Sequence, residues 1–205
     1  MSERSDDEIW DPYGPPPHTE DPWSRVQTRH GFAADELVST LQKEIRRGNV
    51  ENAAVTAYEM ATTSIELEDH LWQRLMIISV EDVGLGNEHA AVVVDALNSM
   101  RLRLPRGRGE RLLFAVHAVR VLAQSPKDRT SDEMVGWIIR AVEAEGLRPQ
   151  VPDHAYDVHT RRGQEMGRRV PHWLSEGTRL EPELEGRDRT YRERVLAWYE
   201  LPPDS

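Results

Sequence analysis

From residue 33 onward, apolar side chains recur every three or four positions and almost never alternate strictly, a period that builds helices rather than sheets. In 33–47, Leu37, Leu41 and Ile45 fall four apart and line one helix face, and Gly48 then stops the run. Residues 50–63 repeat the pattern with Val50, Ala53, Ala54, Ala57, Met60 and Ala61, small side chains that permit close helix contact. Residues 66–83 place Leu67, Leu71, Leu75, Ile78 and Val83 on a third stripe. Two further helices are expected over 87–103 and 108–124, parted by Pro105-Arg106-Gly107, and a sixth over 131–145 with Ser131 as its N-cap. The expected body is an all-α helical bundle.

The two ends of the chain read differently. Residues 1–30 hold five prolines and no apolar period, so they cannot bury enough surface to offset their ordering entropy. They are expected to form an extended or disordered acidic arm. Its Trp10, Tyr13 and Trp23 are either isolated aromatics or side chains that dock on the body or on a neighbouring subunit. Residues 31–146 form the helical domain. Residues 147–205 form an irregular helical tail broken by Pro149, Pro152, Pro171 and Pro182. Within that tail a helix is expected over 154–167, and a last one over 188–200 anchored by Val195, Leu196 and Trp198.

Composition removes whole function classes. No apolar run approaches the roughly 18 residues needed to cross a bilayer, and the acidic N-terminus lacks the apolar core of a secretory signal. With no cysteine there are no disulfides, thiol nucleophiles or thiolate zinc sites, and a cytoplasmic location is expected by elimination. The net charge of −10 argues against a protein that coats DNA, yet the arginines cluster. Arg101, Arg103, Arg106, Arg108 and Arg111 flank one turn and are expected to form a basic edge. Arg161, Arg162, Arg168 and Arg169 bracket Gly163 and Gly167. Guanidinium forks match phosphate oxygens, so both clusters are candidate nucleic-acid contacts, the competing reading being salt bridges to the chain's own carboxylates.

Catalytic chemistry finds little support. There is no phosphate-loop motif, and Gly84-Leu85-Gly86 and Gly107-Arg108-Gly109 lack the strand-before, helix-after setting that a phosphate cradle needs, so both read as helix-ending turns. Asp153, His154, Asp157 and His159 are close in sequence. On one helix, however, His159 lies about 140° around from His154, so the three nearest cannot converge on a metal. No catalytic residue, metal or cofactor is expected. Glu81 and Asp82 sit at a helix end where negative charge opposes the macrodipole, so they need partners, for which Arg74, Arg120 and Lys127 are the nearest candidates.

Three segments, in order, carry a resemblance. The stretch from Leu37 through Gly48 to Ala54 resembles S-A-x-x-K-S-x-R-G-S-D-x-x-A-A. Residues 74–86, RLMIISVEDVGLG, resemble R-R-L-x-x-I-A-S-E-D-[IV]-G-L-A. Residues 122–128, LAQSPKD, resemble L-A-x-[AS]-P-K-S-N. These motifs resemble the C-terminal region of the replication-associated recombination ATPases, the bacterial relatives of the Werner-helicase-interacting protein. Glu44 departs from the first pattern, the sequence diverges after Pro149, and no AAA+ ATPase module stands within these residues. The resemblance implies a clamp-loader collar-like helical domain in which Arg74, Glu81, Asp82, Gly84, Pro126 and Lys127 form a structural motif. It also implies self-association, with a homotetramer as the family's usual state, and an accessory role in DNA replication, repair or recombination beside a separately encoded ATPase. The alternative is a stand-alone nucleic-acid-binding protein that uses the arginine clusters.

Overall fold

The computed structural model describes residues 21–202, and these are all-helical apart from a single bridge between Gln27 and Ala33. They form two compact units divided after Leu147. The expectations placed on Trp10 and Tyr13 lie outside the described residues.

The first unit is built on α1 (Ala34–Arg46), α2 (Val50–Thr63), α3 (Ile65–Ile78), α4 (Ala90–Leu102), α5 (Gly109–Gln124) and α6 (Thr130–Glu143). Leu41 and Ile45 of α1 are fully buried against Ala53, Ala57 and Met60 of α2, and Leu67, Leu71, Leu75 and Ile78 of α3 complete the layer. The alanines of α2 and α5, including Ala115, Ala118 and Ala123, bring these helices close together, and close packing maximises dispersion contacts. Gly48 adopts φ +75°, a left-handed conformation that costs glycine little, and so ends α1. Ser64 accepts a hydrogen bond from the Leu67 N–H and starts α3 one residue after α2 stops.

The structure moves several sequence boundaries. The third helix is regular only to Ile78 and continues as a π-helical turn, Ser79–Val83, followed by a 3₁₀ turn, Gly84–Asn87. The fourth helix therefore starts at Ala90 rather than at residue 87. Ser131 does not cap α6. Asp128 accepts from the backbone N–H and the hydroxyl of Thr130 and turns the chain into the helix one residue earlier. Residues 21–30, within the stretch read as an arm, hold defined structure. Trp23 stacks on His70 at 4.5 Å, and the buried Glu59 accepts hydrogen bonds from the backbone N–H of His30 and contacts its ring.

The second unit, from Arg148, has little regular helix: a 3₁₀ turn at Asp153–Ala155, α7 (Arg161–Glu165), α8 (Val170–His172) running into a π turn (Trp173–Gly177), and α9 (Thr190–Trp198). The helix expected over 154–167 shrinks to α7, because Thr160 accepts from the Gly163 N–H and sets the start there. In α9, Leu196 is buried, whereas Trp198 is 78% exposed. Residues two apart on a helix point about 200° apart, so both could not be anchors as expected.

Candidate functional site

The three motif segments meet at one end of α3. Glu81 and Asp82 lie on the π turn, where the wider helix turn directs both carboxylates toward α1 and the residue 125–129 loop. Asp82 is fully buried. Its Oδ1 accepts from Arg46 Nε and from Arg129 Nη1 at 2.8 Å, and its Oδ2 accepts from Gln42 Nε2 at 3.0 Å. Glu81 Oε1 accepts from the same three residues: Gln42 at 2.6 Å, Arg46 at 3.2 Å and Arg129 at 3.3 Å. Arg129 in turn pairs with Asp132 of α6. Burial alone would raise the Asp82 pKa, but the hydrogen bonds from Arg46, Gln42 and Arg129 outweigh it and hold the carboxyl below its ordinary value.

Of the partners expected from sequence, Arg74 acts at one remove. Its Nη2 donates to Gln42 Oε1 at 2.5 Å and so fixes the amide that serves both acids. Arg120 makes no bond to either. Lys127 donates to the carbonyls of Ala123 and Ser125 at 3.0 and 2.5 Å, ending α5. Burial pushes its pKa down, opposed only by the nearby charge of Asp82. The true partners, Gln42, Arg46 and Arg129, were missed. The one available signal was that Gln42 and Arg46 lie four apart on α1, one turn along the same face.

The glycines of the second segment serve this joint. The Asp128 N–H donates to the carbonyls of Asp82 and Val83 at 3.1 and 3.2 Å, which draws the loop down onto the turn. A Cβ on Gly84, whose φ is +49°, would lie 2.4 Å from the Asp128 carbonyl oxygen, and one on Gly86 would lie 2.5 Å from that of Pro126. Both positions therefore need glycine for close backbone approach. The reading of 84–86 as a simple helix-ending turn leaves out this packing role.

The arginine clusters are largely spent on the chain itself. At the opposite end of α3, Arg101 and Arg111 are 3% and 5% exposed, which corrects the expected basic edge. Arg111 donates to Glu68 at 2.8 Å and to the carbonyls of Arg101 and Leu104. Arg101 pairs with Asp69 at 2.9 Å, and Arg106 pairs with the same Asp69 at 3.0 Å. Arg103 and Arg108 stay exposed. In the second unit, Arg168 chelates Asp153 and donates to the Tyr156 carbonyl, and Arg162 lies 4.4 Å over the Tyr156 ring. Arg161 and Arg169 point to solvent. His159 contacts Asp157, while Asp153 is occupied by Arg168. Among the described residues, no group of three His, Asp or Glu side chains is placed to hold a metal ion.

A second feature adjoins the carboxylate joint. α6 carries Met134, Val135, Trp137 and Ile138 at 39–58% exposure, and Ile77 and Val80 next to it are about half exposed. Met76, Ile77, Val80 and Val135 line a groove of about 500 Å³ there, edged by Glu81 and Asp132.

Motifs far apart in sequence thus converge on a buried, charge-compensated joint between helices, beside an uncovered apolar strip. A joint of this kind fixes helices against one another in an all-helical scaffold. The chain belongs to the family described as the MgsA AAA+ ATPase C terminal, whose model matches residues 50–177 and so covers Glu81, Asp82 and Arg129 of the joint but not Gln42 and Arg46 of α1, together with α6 and part of the second unit. It is also similar to replication-associated recombination protein A of Bacillus subtilis (strain 168), at 30% identity over 142 residues. That match covers 69% of this chain and 32% of the relative, so the chain spans about a third of the relative's length. Among the described residues, no helix is long and apolar enough to cross a membrane.

Proposed function

We propose that this chain is a non-catalytic assembly module that self-associates and serves DNA replication or recombination together with an AAA+ ATPase. The observation that carries this reading is the uncovered apolar strip on α6. A solvent-facing helix normally turns its apolar residues inward, yet α6 buries only Gly136 and Ala141 and leaves Met134, Val135, Trp137 and Ile138 in water. A contiguous strip of this kind marks a protein contact. The joint beneath it supports the same reading: Arg129 bridges Asp82 of the π turn Ser79–Val83 and Asp132 of α6, so the strip is presented on a fixed helix. The relative's printed role, replication-associated recombination, supplies the process, and the family description supplies the ATPase.

The test is the mass of the full chain at micromolar concentration by light scattering. The expected result is an oligomer, most simply a tetramer, and Val135→Glu with Ile138→Glu should yield a monomer with unchanged helicity. A monomeric wild-type protein, or a double variant that still assembles, refutes the reading.

A further inference from the structure

The outer face of α9 carries chemistry that the assembly reading does not use. Tyr191 and Trp198 are 72% and 78% exposed, the highest values of any aromatic among the described residues. They lie seven residues apart, which on a helix returns to the same face within about 20°. Arg194 falls between them on the same side, its guanidinium 5.5 Å from the centre of the Tyr191 ring and without a carboxylate partner among the described residues. Glu193, next to Arg194 in sequence, projects from the other side of the helix, about 160° from Tyr191.

This face is held rigidly from behind. Leu196 is 1% exposed, and Arg192 donates to the Leu174 carbonyl at 3.0 Å and to the Thr178 hydroxyl at 2.7 Å, clamping α9 onto the chain around the π turn. The two outward rings therefore stand on a fixed support.

We infer that this face binds single-stranded nucleic acid, with Tyr191 and Trp198 as stacking platforms and Arg194 as the phosphate contact. Three observations favour bases over a protein partner. The face offers flat rings and a guanidinium, while the side chains between the rings are not aliphatic anchors: Ala197 is small, and Val195 turns partly inward. At 1.5 Å rise per residue, the rings are about 10 Å apart along the helix, which matches about three stacked-base steps of 3.4 Å. Aromatic stacking combined with arginine is the recurrent chemistry of single-strand binding. The unit is also less acidic than the rest of the chain, with ten arginines against eleven acids from residue 148 onward, whereas the net charge of the whole chain is −10.

The experiment is fluorescence anisotropy of a labelled oligothymidylate of about 20 nucleotides with the full chain, from 50 to 200 mM salt. Trp198→Ala and Tyr191→Ala should each weaken binding by about 5- to 150-fold, the range equivalent to one stacked base. Trp198→Phe should restore most of the affinity, because it keeps a ring. Arg194→Gln should flatten the log–log salt slope by about 0.7, the value for one phosphate contact on a single strand, while Trp198→Ala leaves that slope unchanged. The inference is overturned if the wild-type chain does not bind at 50 mM salt, or if both alanine variants bind like the wild type. It is also overturned if the variants change the mass of the assembly and leave oligonucleotide affinity untouched, which would make the face a protein contact.

Discussion

Replacing Asp82 by Asn keeps the shape of the side chain and removes the charge around which the joint is organised. In the native protein, the fully buried carboxylate accepts from Arg46, Arg129 and Gln42. Breaking a buried ion pair from one side costs about 3–5 kcal/mol, mostly because the remaining charge is left without a partner. Here the two guanidiniums are 32% and 29% exposed, so water and Glu81 recover part of that loss. The Asn amide also turns an N–H toward donors that had faced an acceptor. The expected cost at pH 7 is therefore about 3 kcal/mol, near the lower end of that range, or a fall in Tm of about 6–12 °C for a protein of this size.

The pH dependence separates this cause from simple packing. Asp82 titrates below its ordinary value in the folded protein, so its contribution is complete above about pH 4, the unfolded value, and is lost as pH falls through the lower folded value. The stability gap between wild type and Asp82→Asn should therefore hold from pH 7 to about 5 and narrow toward pH 3. Urea denaturation followed by circular dichroism across that range measures it. A cost under about 1 kcal/mol at pH 7, or a gap that stays constant down to pH 3, would refute the assignment of Asp82 as the charged centre of the joint.

Gly86→Ala places a Cβ 2.5 Å from the Pro126 carbonyl oxygen and 2.8 Å from its carbon, and should cost about 1–3 kcal/mol in chemical denaturation, with the unchanged wild-type midpoint as the refuting result. Arg111→Ala leaves the buried Glu68 with Arg101 alone, at 3.4 Å, and removes the donor to the carbonyls of Arg101 and Leu104, so it should cost about 3 kcal/mol, the lower end of the range for a buried pair broken from one side, whereas Arg103→Ala, at an exposed position without an ion pair among the described residues, should stay within about 0.5 kcal/mol; thermal melts of the pair check whether burial, not sequence clustering, decides what an arginine does here.

The sequence alone determined the helices of the first unit, though not all their ends, because helical period is a local property: side chains three and four apart share a face whatever surrounds them. Leu67, Leu71, Leu75 and Ile78 could be read as a buried stripe from spacing only, and all four are buried. The motif segments, and with them the family, were also legible from local order. What the tertiary structure decided was pairing. Arg46 reaches Asp82 across 36 residues and Arg129 across 47, so no local rule selects them over Arg120 or Lys127. The arginine clusters show the same limit. Arg101 and Arg103 are two residues apart in one charge run, but one is buried against Glu68 and Asp69 while the other faces water. Charge type is written in the sequence, whereas the energy of a charge depends on its desolvation and on the groups opposite it, and only the packing of helices sets those.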